Sequence, residues 1–308
     1  MSNMPKVWIE AALNGAWTRE RQPGIPITID EIVADGIAAA QAGAAIIHLH
    51  AYDAATGRQR DAYEIYAPII EGIRAKADAI VYPTLPITGS GYAGELRSAK
   101  ERYAHVERLA QRGLLEWAVI DPGSAVFTRF DEIKRGQAGY TYYNPDDHFR
   151  EGMRIAATYG LRPSYAIYEA GCTRLGAATA AAMRQVPTPI YRFMFAEEFC
   201  FGFPPKPVYL DVHLALLGEM APGAPWMVAG LGVDIRPLIG PAVERGGHVR
   251  VGLEDRPWGV RETNRALVEE AVKLVRGAGG EPASAVEVRA ACAAADVALR
   301  RGSAYLAK

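Results

Sequence analysis

The chain has 308 residues, half of them hydrophobic, and its 34 Lys and Arg nearly balance its 35 Asp and Glu. A chain of that size can bury a large core without disulfides or a structural metal, and its near-zero net charge argues against a general nucleic-acid or membrane-surface binder. Three widely spaced cysteines, Cys172, Cys200 and Cys292, build neither a disulfide framework nor a C-x-x-C metal motif.

The first segment, "MSNMPKVWIE", lacks the long apolar core of a signal peptide. No later apolar run approaches the length of a membrane span. A cytoplasmic protein acting on a small molecule is therefore expected, with no nucleic-acid and no membrane partner. From there, short apolar runs alternate with longer amphipathic ones. The candidate strands are "VWIEAALN" (7–14), "AIIHLHAY" (45–52), "AIVYPTL" (79–85), "WAVIDP" (117–122), "SYAIYE" (164–169), "PIYRFMF" (189–195), "PWMVAGL" (225–231) and "HVRVGLE" (248–254). Between the first two lies "TIDEIVADGIAAAQAG", in which Thr28 and Glu31 spell a capping box and Gly43 a stop. "ELRSAKERYAHVERLAQRG" and "NRALVEEAVKLVRGAGG" follow the same grammar.

Eight strands, each followed by a helix, are the count of a (β/α)₈ TIM barrel. A doubly wound open sheet is the alternative, but no G-x-G-x-x-G follows the first run. No linker divides the chain, so a single domain over 1–308 is expected, with the barrel at about 5–280 and a C-terminal helical extension at about 284–308.

Side chains alternate across a strand, so one set of each run faces the barrel interior. In the second run Ala45, Ile47 and Leu49 suit the helix side, which sends Ile46, His48 and His50 inward. By itself the pair admits two readings, metal ligation or one core histidine beside one rim histidine. In the last run Val249, Val251 and Leu253 form the apolar set, so His248, Arg250, Gly252 and Glu254 face inward. Charges inside a barrel need partners, and a purely structural Arg250–Glu254 or Arg250–His248 network would supply them. The functional reading brings Glu254 beside His48 and His50, because both runs flank the first strand. Two histidines and a carboxylate with open positions form a ligand set for Zn²⁺, or for Fe²⁺ or Mn²⁺. Asp255 follows at the turn, where it can swing over the site as an acid or base, and Arg250 can grip that carboxylate or a substrate's. Asn14, Thr84, Asp121 and Ser124 end strands and can add hydrogen bonds, although each alone is first explained as an ordinary turn or cap residue.

Together these stretches resemble the β-keto acid cleavage enzyme family, which includes 3-keto-5-aminohexanoate cleavage enzyme. The resemblance rests on "AALNGA" with "QPGIPIT" behind it, "AGAAIIHLHAYDAATGR", "LEWAVIDPGS", "WMVAGLG", "ERGGHVRVGLEDR" and "TNRALVEEAVKL". They run in order over almost the whole chain. The resemblance implies a TIM barrel, a homotetramer, and one Zn²⁺ per chain on His48, His50 and Glu254. It implies a reaction in which a β-keto acid condenses with acetyl-CoA and the adduct splits to acetoacetate and a new acyl-CoA. In that scheme Asp255, steered by Arg250, serves proton transfer, and Thr84 supplies the hydroxyl after the third strand.

Several positions depart from the family's pattern. Trp17 stands where a glutamate is common, and Val119 where Ser or Thr is. Ser164 and Ala166 replace inward carboxylates of the fifth run, leaving Glu169. Val233 replaces an arginine, and "FMFAEEFCFGFPPKP" a glycine-rich run. Carboxylates are lost while aromatics are gained at Trp17, Tyr165, Tyr168, Phe199, Phe201 and Phe203. Core packing accounts for most of these; the functional reading is a more apolar pocket, or a cationic cage if Glu197 or Glu198 faces in. Trp17, Asn14, Thr84, Asp121, Ser124 and Glu169 are the expected substrate contacts. Two alternatives remain open from sequence: a metal-dependent C–C lyase or hydrolase without CoA, and a non-catalytic ligand-binding relative.

Overall fold

The computed structural model describes residues 4–87 and 97–302. Residues 95 and 96 of the predicted third helical segment, and 303–308 of the predicted C-terminal extension, lie outside them. Every predicted strand forms: β1 (Ile9–Ala12), β2 (Ile46–Leu49), β3 (Ile80–Pro83), β4 (Trp117–Val119), β5 (Arg162–Ile167), β6 (Ile190–Phe195), β7 (Trp226–Gly230) and β8 (His248–Val251). They make one parallel sheet in the order β3-β2-β1-β8-β7-β6-β5-β4. Its two end strands, β3 and β4, lie against each other, so the sheet curls into a nearly closed barrel. Tyr82 and Trp117 span that seam with their rings 5.9 Å apart.

A helix follows each strand: α1 (Ile29–Ala42), α2 (Tyr63–Arg74), α3 (Ala99–Gln111), α4 (Asp146–Tyr159), α5 (Ala170–Ala182), α6 (Pro207–Met220), α7 (Arg236–Glu244) and α8 (Asn264–Gly277). A further helix, α9 (Ala285–Gly302), forms the C-terminal addition. The local signals act as read. Thr28 accepts from the Glu31 amide while Glu31 returns to the Thr28 amide, which satisfies two otherwise orphaned donors at the start of α1. Ser98 and Glu101 do the same for α3. The main apolar core lies between barrel and helices, around Ile47, Leu49, Ile69, Ile70 and Val249.

The barrel interior is different. Trp8 and His248 stack at 4.0 Å at the N-terminal end of the strands. Above them Glu10, Tyr82, Ser164, Arg192 and Arg250 are all buried. Charge placed there is costly unless partnered, and the partners lie toward the C-terminal mouth.

Candidate active site

His48 and His50 both face inward from β2, as alternation requires. Asn14 locks the second one in place: its Oδ1 accepts from the His50 amide at 2.9 Å, and its Nδ2 donates to the His50 carbonyl at 3.0 Å. On the other side of β1, the chain leaves β8 through Gly252, whose φ is +147. A Cβ there would lie 2.0 Å from the Ala12 carbonyl oxygen, so only glycine permits the close approach. That approach lets the Glu254 amide donate to the Ala12 carbonyl, while Ala12 pairs with His48 across β1 and β2. The carboxylate of Glu254 thus meets the two imidazoles, 3.5 Å from His48 Nε2 and 3.4 Å from His50 Nε2.

The ligating atoms of His48, His50 and Glu254 all lie within 4.8 Å of one another. His50 Nε2 and Glu254 Oε2 are buried without a hydrogen-bond partner, the condition a metal ion relieves. Burial holds His48 well below an ordinary imidazole, so it is neutral and its lone pair is free. Burial pushes Glu254 up, but the Arg250 charge together with His48 and His50 outweighs it and holds the carboxylate well below its usual range. The wider charge pattern agrees. Arg192 faces Asp121, while Arg250 alone is shared by Glu10, Glu254 and Asp255, so carboxylates outnumber the guanidiniums they pair with, a balance that a cation at the triad improves.

A shell behind His50 sets its tautomer. Its Nδ1 lies 3.0 Å from Gln59 Oε1, and the Gln59 amide donates to Asp61 at 2.7 Å. Tyr66 donates to the other Asp61 oxygen at 2.6 Å. Because the Gln59 oxygen can only accept, His50 carries its proton on Nδ1 and presents Nε2 to Glu254. Gln59→Leu is expected to weaken any divalent-metal binding at the triad about 10- to 100-fold, read by competition with a chromophoric chelator; unchanged affinity would remove Gln59 from this role.

A cavity of about 350 Å³ opens over the triad. Its floor carries His48, His50, Glu254, Asp121, Arg192 and Arg250, and Trp17 and Thr84 stand on its wall. Trp17 is anchored by an Nε1 bond to the Glu254 carbonyl at 2.8 Å. Asp121 accepts from Tyr142 at 2.8 Å and from the Ala166 amide at 2.9 Å.

Four sequence expectations need correction. Asn14 does not line the cavity, since its amide is spent on His50 and Pro26. Ser124 accepts from the Asn144 amide in a turn, and Glu169 sits exposed at the start of α5, bonded to the Gly202 amide. Asp255 does not swing over the site. It lies behind Arg250 and takes that guanidinium in two-point fashion, at 2.9 Å to Oδ2 and 2.8 Å to Oδ1. Burial raises its pKa, Arg250 opposes this, Glu254 and Glu10 add to it, and the carboxyl stands at about 6.

Of the expected aromatics, Trp17, Tyr168 and Phe199 line the cavity, Tyr165 faces Phe149 and Tyr191, and Phe203 stacks on Tyr209. Glu197 and Glu198 stay off the wall, and Glu198 pairs with Arg129. Val233 lies in the crevice behind Asp255 instead. Glu10, Tyr82 and Arg192 went unnoticed, yet their inward parity is written in runs one, three and six. Glu10 accepts from Arg250 at 3.1 Å and from Tyr82 at 2.8 Å. Arg192 donates to the Ser164 carbonyl at 3.3 Å and lies 3.7 Å from Asp121.

This site can be set against known proteins. The model of the beta-keto acid cleavage enzyme family matches residues 6–293. The chain belongs to that family. It is therefore an enzyme of the β-keto acid cleavage type. The 3-keto-5-aminohexanoate cleavage enzyme of Fusobacterium nucleatum is 30% identical over 305 residues, covering 93% of this chain and 97% of that protein. The 3-dehydrocarnitine:acetyl-CoA trimethylamine transferase of Rhizobium meliloti is 28% identical over 303 residues, covering 92% and 95%. Among solved structures, the apo structure of ObcA superposes with a TM-score of 0.71 at 18% identity, over 87% of this chain. The chain spans 65% of the length of ObcA, a likeness of fold. In this family member the imidazoles, Glu254 and Arg250 share one cavity end, with Asp255 behind Arg250, while Val119 and Trp17 stand on its walls.

Proposed function

We propose that this chain condenses a β-keto acid with acetyl-CoA and splits the adduct into acetoacetate and a new acyl-CoA, with Zn²⁺ held by His48, His50 and Glu254. The observation that carries the reading is the histidine–carboxylate triad at the floor of a cavity, with a buried arginine–carboxylate pair beside it. The bound metal supplies Lewis acidity toward the keto acid's carbonyl. The acetyl-CoA in the name of the Rhizobium meliloti relative supports the co-substrate.

The chain's own residues prepare the rest. Arg250 is the member of the pair on the cavity floor, so its guanidinium meets anionic charge that develops on the substrate. Asp255 fixes that guanidinium from behind by the two-point bond. Thr84 offers its hydroxyl from the end of β3, and Trp17 covers the Glu254 side. The apolar side chains of Val208 and Val212 on α6, and of Val286 and Val297 on α9, are exposed, which suits assembly into a cytoplasmic homotetramer.

The test is a panel of β-keto acids with and without acetyl-CoA. Acetoacetate is expected only when acetyl-CoA is present; cleavage without it would replace this reading with a lyase or hydrolase. Asp255→Asn should lose turnover by at least about 100-fold while the zinc content is unchanged. Full activity in that variant would remove the pair from the reaction.

A further inference from the structure

Between the charged floor and the mouth, the cavity wall is apolar. Val119 from β4, Met194 from β6, Leu231 after β7, and Phe127, Tyr168 and Phe199 form this belt. Phe127 meets Tyr168 at 4.9 Å and Phe199 at 5.7 Å, so the aromatic half is a packed surface. The charged groups below are committed to one another. Asp121 holds Tyr142, the Ala166 amide and Arg192, while Arg250 is shared among Glu10, Glu254 and Asp255. At the mouth, Glu132 accepts from the Arg129 amide at 2.7 Å, and Arg21 lies over the Trp258 ring at 3.9 Å.

We infer that this site takes a β-keto acid whose tail is uncharged and apolar, the keto acid head resting on the floor and the tail on the belt of Val119, Met194, Leu231, Phe127, Tyr168 and Phe199. The inference rests on the proposed reaction for its head group and on the belt for its tail. A tail ammonium would find no carboxylate on the belt and a tail carboxylate no cation, because Glu132, Arg21 and Arg129 line the mouth beyond it and Arg129 is held by Asp131 and Glu198. Either would be desolvated against carbon without a partner, and the substrate would lose affinity. An alkyl tail instead gains about fourfold in affinity per buried methylene.

Calorimetric titration of the zinc-loaded protein with hexanoate, its ω-amino derivative and adipate tests this, because the three share a carboxylate head and chain length. Hexanoate is expected to bind at least about tenfold more tightly than either. Hexanoate binding no better than a charged analogue, or not at all, overturns the inference. Met194→Glu, which nearly conserves volume, should reverse the order between hexanoate and the amino acid. Its zinc content and melting curve report whether it folds, and an unchanged order in a folded variant also overturns the inference. Turnover of the matching 3-oxo acids with acetyl-CoA is read separately. Selective binding of hexanoate without acetyl-CoA-dependent turnover sinks the proposed reaction and leaves the tail specificity standing. Turnover that favours a charged tail sinks the specificity and leaves the reaction.

Discussion

Arg250→Met is expected to destabilise the protein by about 3–5 kcal/mol, because a buried charge cluster loses the cation that holds it. Its guanidinium reaches Glu10 at 3.1 Å, Glu254 at 2.8 Å and Asp255 at 2.8 Å, and it is itself 1% exposed. Removing it leaves three carboxylates facing one another in the barrel. Thermal melting by circular dichroism should show a drop on the order of 10 °C. The deficit has a pH sign. Asp255 already stands at about 6 against an ordinary 3.8, and without Arg250 it rises further. The folded variant then binds more protons than the unfolded chain, so its stability falls as pH rises from about 4 toward neutrality. The deficit is smallest in acid and largest near neutral pH. Adding Asp255→Asn should recover part of it by removing one orphaned charge. A deficit below about 1 kcal/mol at neutral pH would show that the three carboxylates are not ionised together.

The second large effect concerns the triad. The wild-type protein is expected to bind about one zinc per chain, and replacing both His48 and His50 by alanine should abolish it. Glu254 alone cannot hold the ion, because zinc prefers two or three nitrogen or sulfur donors at such sites. The change should be visible in stability as well as in metal content. Zinc at about 100 times its Kd should stabilise the wild type by about 2.7 kcal/mol, and the double variant by nothing. Elemental analysis of purified protein and melting with and without added zinc measure both. A variant that keeps its metal would place the ion elsewhere.

Much of this architecture was legible in the one-dimensional pattern. Apolar runs with their flanking caps located all eight strands, because hydrophobic burial and orphaned helix-end groups act over a few neighbours. Parity then sent His48, His50 and Glu254 to one side, and the period of two leaves little freedom within a strand. The same parity marked Glu10 and Arg192, whose meaning depends on charges brought from other strands.

Where parity stops, so did the reading. Asp255 follows the Gly252 turn, and its direction is decided by that backbone's approach to Ala12. Asn14 and Glu169 end their strands, and neighbouring backbone groups claim their side chains before any ligand can. Gln59 reaches His50 only because the hairpin of Tyr52–Asp53 and Arg58–Gln59 folds back over the mouth. Phe127 joins the belt through another pairing, of Ala125–Val126 with Thr141–Tyr142. The sequence by itself determined the barrel, its caps and the shared inward side of His48, His50 and Glu254, since each follows from local periodicity. Only the tertiary structure decided which charges neutralise one another and which walls stay apolar, since those depend on contacts between strands and loops far apart in the chain.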